Sequence, residues 1–217
     1  MKNSILPVLS FLISVLAISC NSNKSTDSGE IKNPDIQQKD TTAPTENADV
    51  MNMLYPLPDI SPMDMCYFPV DYTKLKMTNA ISTPPLARVI YSRPHLQGRQ
   101  LFDGIIKYGE AWRLGANEST EIDLYHDATI QGKKIKSGRY VLYCIPESKQ
   151  WTIIFNTNTD TWGLRPDSTK DIARFIIPVN QIKPKLEYFT MVFSETSKGA
   201  DLIMAWENTE ARLPFEF

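Results

Sequence analysis

The sequence predicts an all-β protein, an antiparallel β-sandwich of jelly-roll-like type with at most one short helix. Three observations carry that prediction. From Leu86 onward, short runs of β-branched and aromatic residues recur between turn residues, with no sustained helical period. Within the runs apolar and polar side chains alternate, and only a sheet facing another sheet hides that many one-sided apolar faces. Turn pairs such as Gln131-Gly132, Ser137-Gly138 and Lys198-Gly199 punctuate the runs at the close spacing antiparallel hairpins use.

Residues 1–19 are read as a lipoprotein signal peptide. Lys2 is followed by an apolar stretch from Ile5 to Ile18, then Ser19 and Cys20, the three-part layout of an export signal. A spanning helix needs about 20 apolar residues, and this run is shorter and carries Pro7, Ser10 and Ser14. The string LAISC resembles the lipobox of bacterial lipoproteins, which implies that Cys20 is lipidated and that the membrane is a partner through it. Several buried acyl chains at about 0.8 kcal/mol per methylene make such an anchor stable. Asn21, not Asp, follows the cysteine, so by the sorting rule the expected address is the outer membrane, facing the periplasm or the cell surface.

Residues 20–50 are rich in Asn, Ser, Thr, Asp and Lys and poor in apolar side chains, so burial cannot offset the entropy of ordering and the stretch reads as a disordered tether. Within it, Asp40-Thr41-Thr42 resembles an O-glycosylation acceptor pattern of exported proteins. Residues 51–85 turn to Met, Pro, Leu and Tyr, with Pro56, Pro58, Pro62 and Pro69 spaced to prevent a long helix. Met53, Leu54, Tyr55, Met63, Met65, Tyr67 and Phe68 are costly to leave in water, so this arm is expected to pack along the domain.

The β-sandwich domain is read over residues 86–217, with strands near Ala87–Ser92, Thr120–Tyr125, Ala128–Ile130, Arg139–Ile145, Trp151–Asn156, Arg174–Val179, Tyr188–Phe193 and Leu202–Glu207. Pro146 and the polar Glu147-Ser148-Lys149-Gln150 end one apolar strand and return the chain into the next. Pro166 to Ile172 is the stretch that reads as a short helix.

At residues 91–118 the string YSRPHLQGRQLFDGIIKYGEAWRLGANE resembles the motif core of the domain of unknown function 2911 family, found mainly in exported Bacteroidetes proteins. The resemblance continues through GKKIKSGRYVLYCIP at 132–146, WTIIFN at 151–156, Trp162-Gly163 and the last strand with Trp206. It departs before Leu86, where the arm stands in place of the family's usual first strand. The resemblance implies domain limits and class, and no activity.

Charge and motifs exclude several chemistries. With 23 basic against 25 acidic side chains there is no surplus to neutralise a phosphate backbone, so nucleic acid is not expected as a partner. His95 and His126 are the only histidines and neither lies in a metal-ligand or triad spacing, so no metal, cofactor or catalytic residue is assigned. Glu121 and Asp123 share strand parity opposite Ile122 and Leu124 and read as a solvated face, not as paired catalytic acids. Cys66 and Cys144 are read either as free thiols, Cys144 within a core strand, or as a disulfide that an oxidising compartment permits.

The densest chemistry lies in Tyr91, Arg93, Arg99, Trp112, Arg113, Asn117 and Glu118. Arginine forks suit carboxylate, phosphate or sulfate, and Trp and Tyr offer faces for stacking. Two readings stand for this cluster. Either Glu118 and Asn117 satisfy the arginines inside a folded corner, or the group binds a small polar, glycan-like or anionic ligand. The functional expectation is a non-enzymatic envelope lipoprotein with such a ligand site. Its alternatives are a structural or protein-interaction module of the outer membrane and, behind it, a cell-envelope hydrolase with Glu118 as the acid.

Overall fold

A computed structural model describes residues 57–217. The predicted signal peptide, Cys20, the tether and residues 51–56 of the arm lie outside them. The strands are β1 (Met63–Phe68), β2 (Ala87–Ser92), β3 (Thr120–Leu124), β4 (Ala128–Ile130), β5 (Lys133–Ile135), β6 (Gly138–Pro146), β7 (Gln150–Asn156), β8 (Asp171–Thr196) and β9 (Gly199–Glu216), with helix α1 (Tyr72–Met77) after β1. All pair antiparallel in the order β1-β2-β3-β6-β7-β8-β9-β4-β5. The protein is all-β, as its alternation requires.

One long strand makes a layered structure out of a single sheet. The first part of β8 pairs with β7 and the second part with β9, with register shifts between Gln181 and Leu186 and again before Thr190. Two expected strands, Arg174–Val179 and Tyr188–Phe193, are therefore the two ends of β8. The polar and proline-bearing stretch between them reads as a break in sequence but is carried as an irregularity within the strand. Ala173, Phe175 and Ile177 at one end and Phe189, Met191 and Phe193 at the other all face the core. Across it Phe68 meets Phe193, Phe155 meets Phe215 and Trp112 stacks on Trp206, with centroids 6.1, 6.4 and 6.0 Å apart. Each such side chain contributes about 1.5–3 kcal/mol by burial.

The β4–β5 hairpin leaves the chain between β3 and β6 yet joins the far edge of β9, through Thr129 opposite Glu216. Gln131 and Gly132 form its turn with φ of 47° and 77°, the doubly left-handed geometry that a two-residue hairpin favours. Pro166–Ile172 makes only a 3-10 turn at Ser168–Lys170, where the Asp167 carboxylate accepts from the Thr169 N–H. The α-helix lies instead in the arm, whose Met63–Phe68 segment is a ladder strand on β2. The alternation in Asp-Met-Cys-Tyr-Phe is too brief, between prolines, to have marked a strand.

β2 and β8 meet across a seam that side chains close. The Tyr91 hydroxyl accepts from the Met191 N–H at 3.0 Å and faces the Met191 carbonyl at 3.2 Å. The Arg93 guanidinium donates to the Phe189 carbonyl at 3.2 Å, to Asp64 Oδ2 at 3.1 Å and to Thr190 Oγ1 at 3.0 Å. Main-chain groups of β8 that β9 leaves unpaired are satisfied in this way.

Candidate functional site

The connection from β2 to β3 is long and its backbone is pinned at several places. Leu96 N–H donates to the Glu187 carbonyl at 3.0 Å and Phe189 N–H to the Pro94 carbonyl at 2.9 Å, which stitches the loop's start to β8. Trp112 and Cys144 exchange main-chain bonds of 2.7 and 2.8 Å, extending the sheet beside β6. Leu114 then takes φ of 53°, and its carbonyl accepts from Thr120 Oγ1 at 2.6 Å at the entry to β3. Leu96, Leu101 and Leu114 are fully buried, so the loop is packed by its own side chains.

Between this loop and the 163–164 turn lies an open cleft of about 410 Å³. Its walls include Arg99, Lys107, Glu110, Trp112 and Arg113, with Ile60 and Ser61 from the arm and Leu164 opposite. Lys107 pairs with Glu110 at 3.7 Å, and Glu110 is the single carboxylate of the lining. Arg99 donates from Nε and Nη2 to the carbonyls of Leu96 and His95, both at 2.9 Å. Arg113 donates from Nη1 to the Trp162 carbonyl at 2.9 Å while its guanidinium lies 5.6 Å from the Trp162 ring centroid. Burial pushes the Arg113 guanidinium below its ordinary value, against the nearby charge of Glu118, and it stays charged as arginines do. The closeness of the wall is visible at Gly163, where φ is 78° and a Cβ would stand 2.5 Å from Ser119 Oγ.

The structure divides the seven predicted residues into groups. Arg99, Trp112 and Arg113 line the cleft. Trp112 does so from within the core: its ring packs on Trp151, Phe189 and Trp206, and its Nε1 donates to the Gly115 carbonyl at 3.2 Å. Tyr91 and Arg93 belong to the seam, with Arg93 over the Tyr188 ring at 5.9 Å. Asn117, at φ of 58°, and the exposed Glu118 lie outside the cleft lining. The internal network expected from Glu118 is corrected here. Register places Asp64 opposite Tyr91, so the arm's carboxylate takes Arg93, while main-chain carbonyls satisfy part of Arg99 and Arg113.

Lys107 and Glu110 stand inside the motif string, where neither type alone signals a site; Glu110 lies near Glu118, Glu121 and Asp123 in sequence, but spacing alone cannot orient these acids. Ile60, Ser61 and Leu164 reach the cleft only through long-range packing, which no local pattern announces. Glu121 binds Arg139 and Asp123 binds Arg88 on the outer face, with Ile122 and Leu124 buried behind them, so these acids are engaged in ion pairs. Cys66 and Cys144 are both free thiols, Cys144 fully buried and Cys66 pushed up to about 12, first by burial and then by Asp64. Among the described residues no group of three or more His, Cys, Asp or Glu is placed to hold a metal, and no helix is long and apolar enough to cross a membrane.

No curated protein and no solved structure matches the chain. With residues 75–215 matched, from within α1 almost to the end of β9, this chain belongs to the family described as protein of unknown function (DUF2911).

Proposed function

We propose that this protein is a lipoprotein of the outer membrane, anchored through Cys20, whose β-domain binds a small anionic ligand in the cleft between the β2–β3 loop and the 163–164 turn. One observation carries the ligand reading. Arg99, Lys107 and Arg113 share a cleft with one carboxylate, Glu110, which Lys107 already faces. Arg99 keeps Nη1, and Arg113 keeps Nε and Nη2, without a partner among the described residues. Guanidinium groups with donors to spare bind carboxylate, phosphate or sulfate oxygens by charge-assisted bonds.

Titration calorimetry with inorganic phosphate, sulfate and glucuronate tests the reading. Binding of at least one anion is expected, weakening with added salt. Arg113→Ala removes one charge-assisted contact, about 1.5–3 kcal/mol, or roughly a 10- to 100-fold loss of affinity. Heat signals absent for all three anions, or unchanged in Arg113→Ala, would sink it. The anchor is tested separately: radiolabelled palmitate should be incorporated by the parent chain and lost in Cys20→Ser. A protein-interaction role is favoured instead if anions fail, since Trp162, 54% exposed, and Leu164, 65% exposed, stand beside the same cleft.

A further inference from the structure

On the other side of the same loop the sheet opens a second, chemically different pocket, and we infer that it is a saccharide site that takes a single pyranose ring. The pocket exists because the β8–β9 ladder breaks. Gln181 pairs with Thr209 and Leu186 with Glu207, so Ile182, Lys183, Pro184 and Lys185 bulge from β8 opposite Asn208 alone. The bulge also reverses parity in β9: Leu202, Met204 and Trp206 face the core before it, and Thr209, Ala211 and Leu213 after it. A concavity of about 360 Å³ results, within the size range of small-molecule sites.

Its lining has the make-up that polyhydroxylated rings need. Tyr108 stacks on Phe102 with centroids 4.4 Å apart and planes at 12°, and 38% of Tyr108 remains exposed, an aromatic platform for the C–H face of a sugar. Around it stand Gln181, Asn208, Lys185 and Glu207. Planar amide and carboxylate groups can each engage two neighbouring hydroxyls, and the ammonium donates to a third. Lys185 Nζ lies 3.0 Å from Glu207 Oε1, so the two charges balance, unlike those of the arginine-lined cleft. Glu207 holds φ of 55°, a conformation that glycine adopts without strain, so the bulge alone gives no reason for a carboxylate there. The Glu207 side chain lines the pocket beside its Lys185 partner, which puts a hydrogen-bonding carboxylate on the pocket wall.

Saturation-transfer difference NMR on the full-length chain with D-glucose, D-galactose and N-acetyl-D-glucosamine tests the inference. Saturation of the ring C–H protons of at least one sugar is expected. Tyr108→Ala should weaken that sugar's binding at least tenfold, and so should Asn208→Ala, an exposed position whose variant keeps the parent melting temperature. Arg113→Ala, in the arginine-lined cleft, should leave the sugar signal unchanged, which separates this site from the one proposed above. Absence of saturation from all three sugars overturns the inference, as does undiminished binding in Asn208→Ala or equal loss in Arg113→Ala.

Discussion

Neighbouring residues in one motif have opposite roles here. Trp112 is buried among three other aromatic rings, and Arg113, the next residue, is held by one carbonyl and the face of a half-exposed Trp162. Trp112→Ala empties a core position and should cost about 3–5 kcal/mol, which can be read as a large fall in the urea midpoint at unchanged slope. Arg113→Ala should cost about 1 kcal/mol or less, since it loses one partly exposed cation–π contact and one hydrogen bond. Equal destabilisation by the two substitutions would contradict this division. The sequence made both residues legible as special, because their types are chemically expressive. It left their roles unseparated, since burial is a property of the neighbours a side chain acquires.

At the level of elements, one hairpin shows how an edge of the sheet is held in place. The β4–β5 hairpin fastens to β9 at one residue pair and is tied to the chain ahead of it by Asp127. That carboxylate accepts from the Ser137 N–H at 2.9 Å and from Lys136 and Lys134, each at 3.1 Å. These bonds hold Asp127 well below the ordinary carboxylate range, the Ser137 N–H most of all. A depressed folded value means a contribution that is present above the unfolded carboxylate value of about 3.9 and is lost as pH falls through the folded one. Amide exchange in the hairpin should therefore quicken on acidification below that range, and Asp127→Asn should show the faster exchange already at neutral pH. Exchange in the hairpin that is independent of pH after correction for intrinsic rates would argue against the tie. The hairpin's turn was readable from Gln131-Gly132, because left-handed turn chemistry is local. Its partner β9 was not, because the pairing spans most of the domain.

For the whole molecule the arm decides where the domain begins. Removing residues 1–85 takes away β1, and with it Phe68 from the core and Asp64 from Arg93. One buried phenylalanine is worth about 3–5 kcal/mol, a large share of the 5–15 kcal/mol by which domains are stable. A chain beginning at Leu86 should lack a cooperative thermal transition, while one beginning at residue 57, which keeps β1, should show one. Matching melts for both would show that β1 is dispensable.

The sequence by itself determined the all-β class, most strand positions, several turns and the motif in which the cleft residues lie, because alternation and turn preference act over a few neighbours. Tertiary structure alone decided which side chains converge. Tyr91 reaches Met191 across 100 residues of chain, Asp64 is brought to Arg93 by strand register, and the parity-reversing bulge at Glu207 opens a pocket beside Tyr108. Such meetings follow from the folding of one sheet about β8, and ladder register between distant strands leaves no mark in a local pattern.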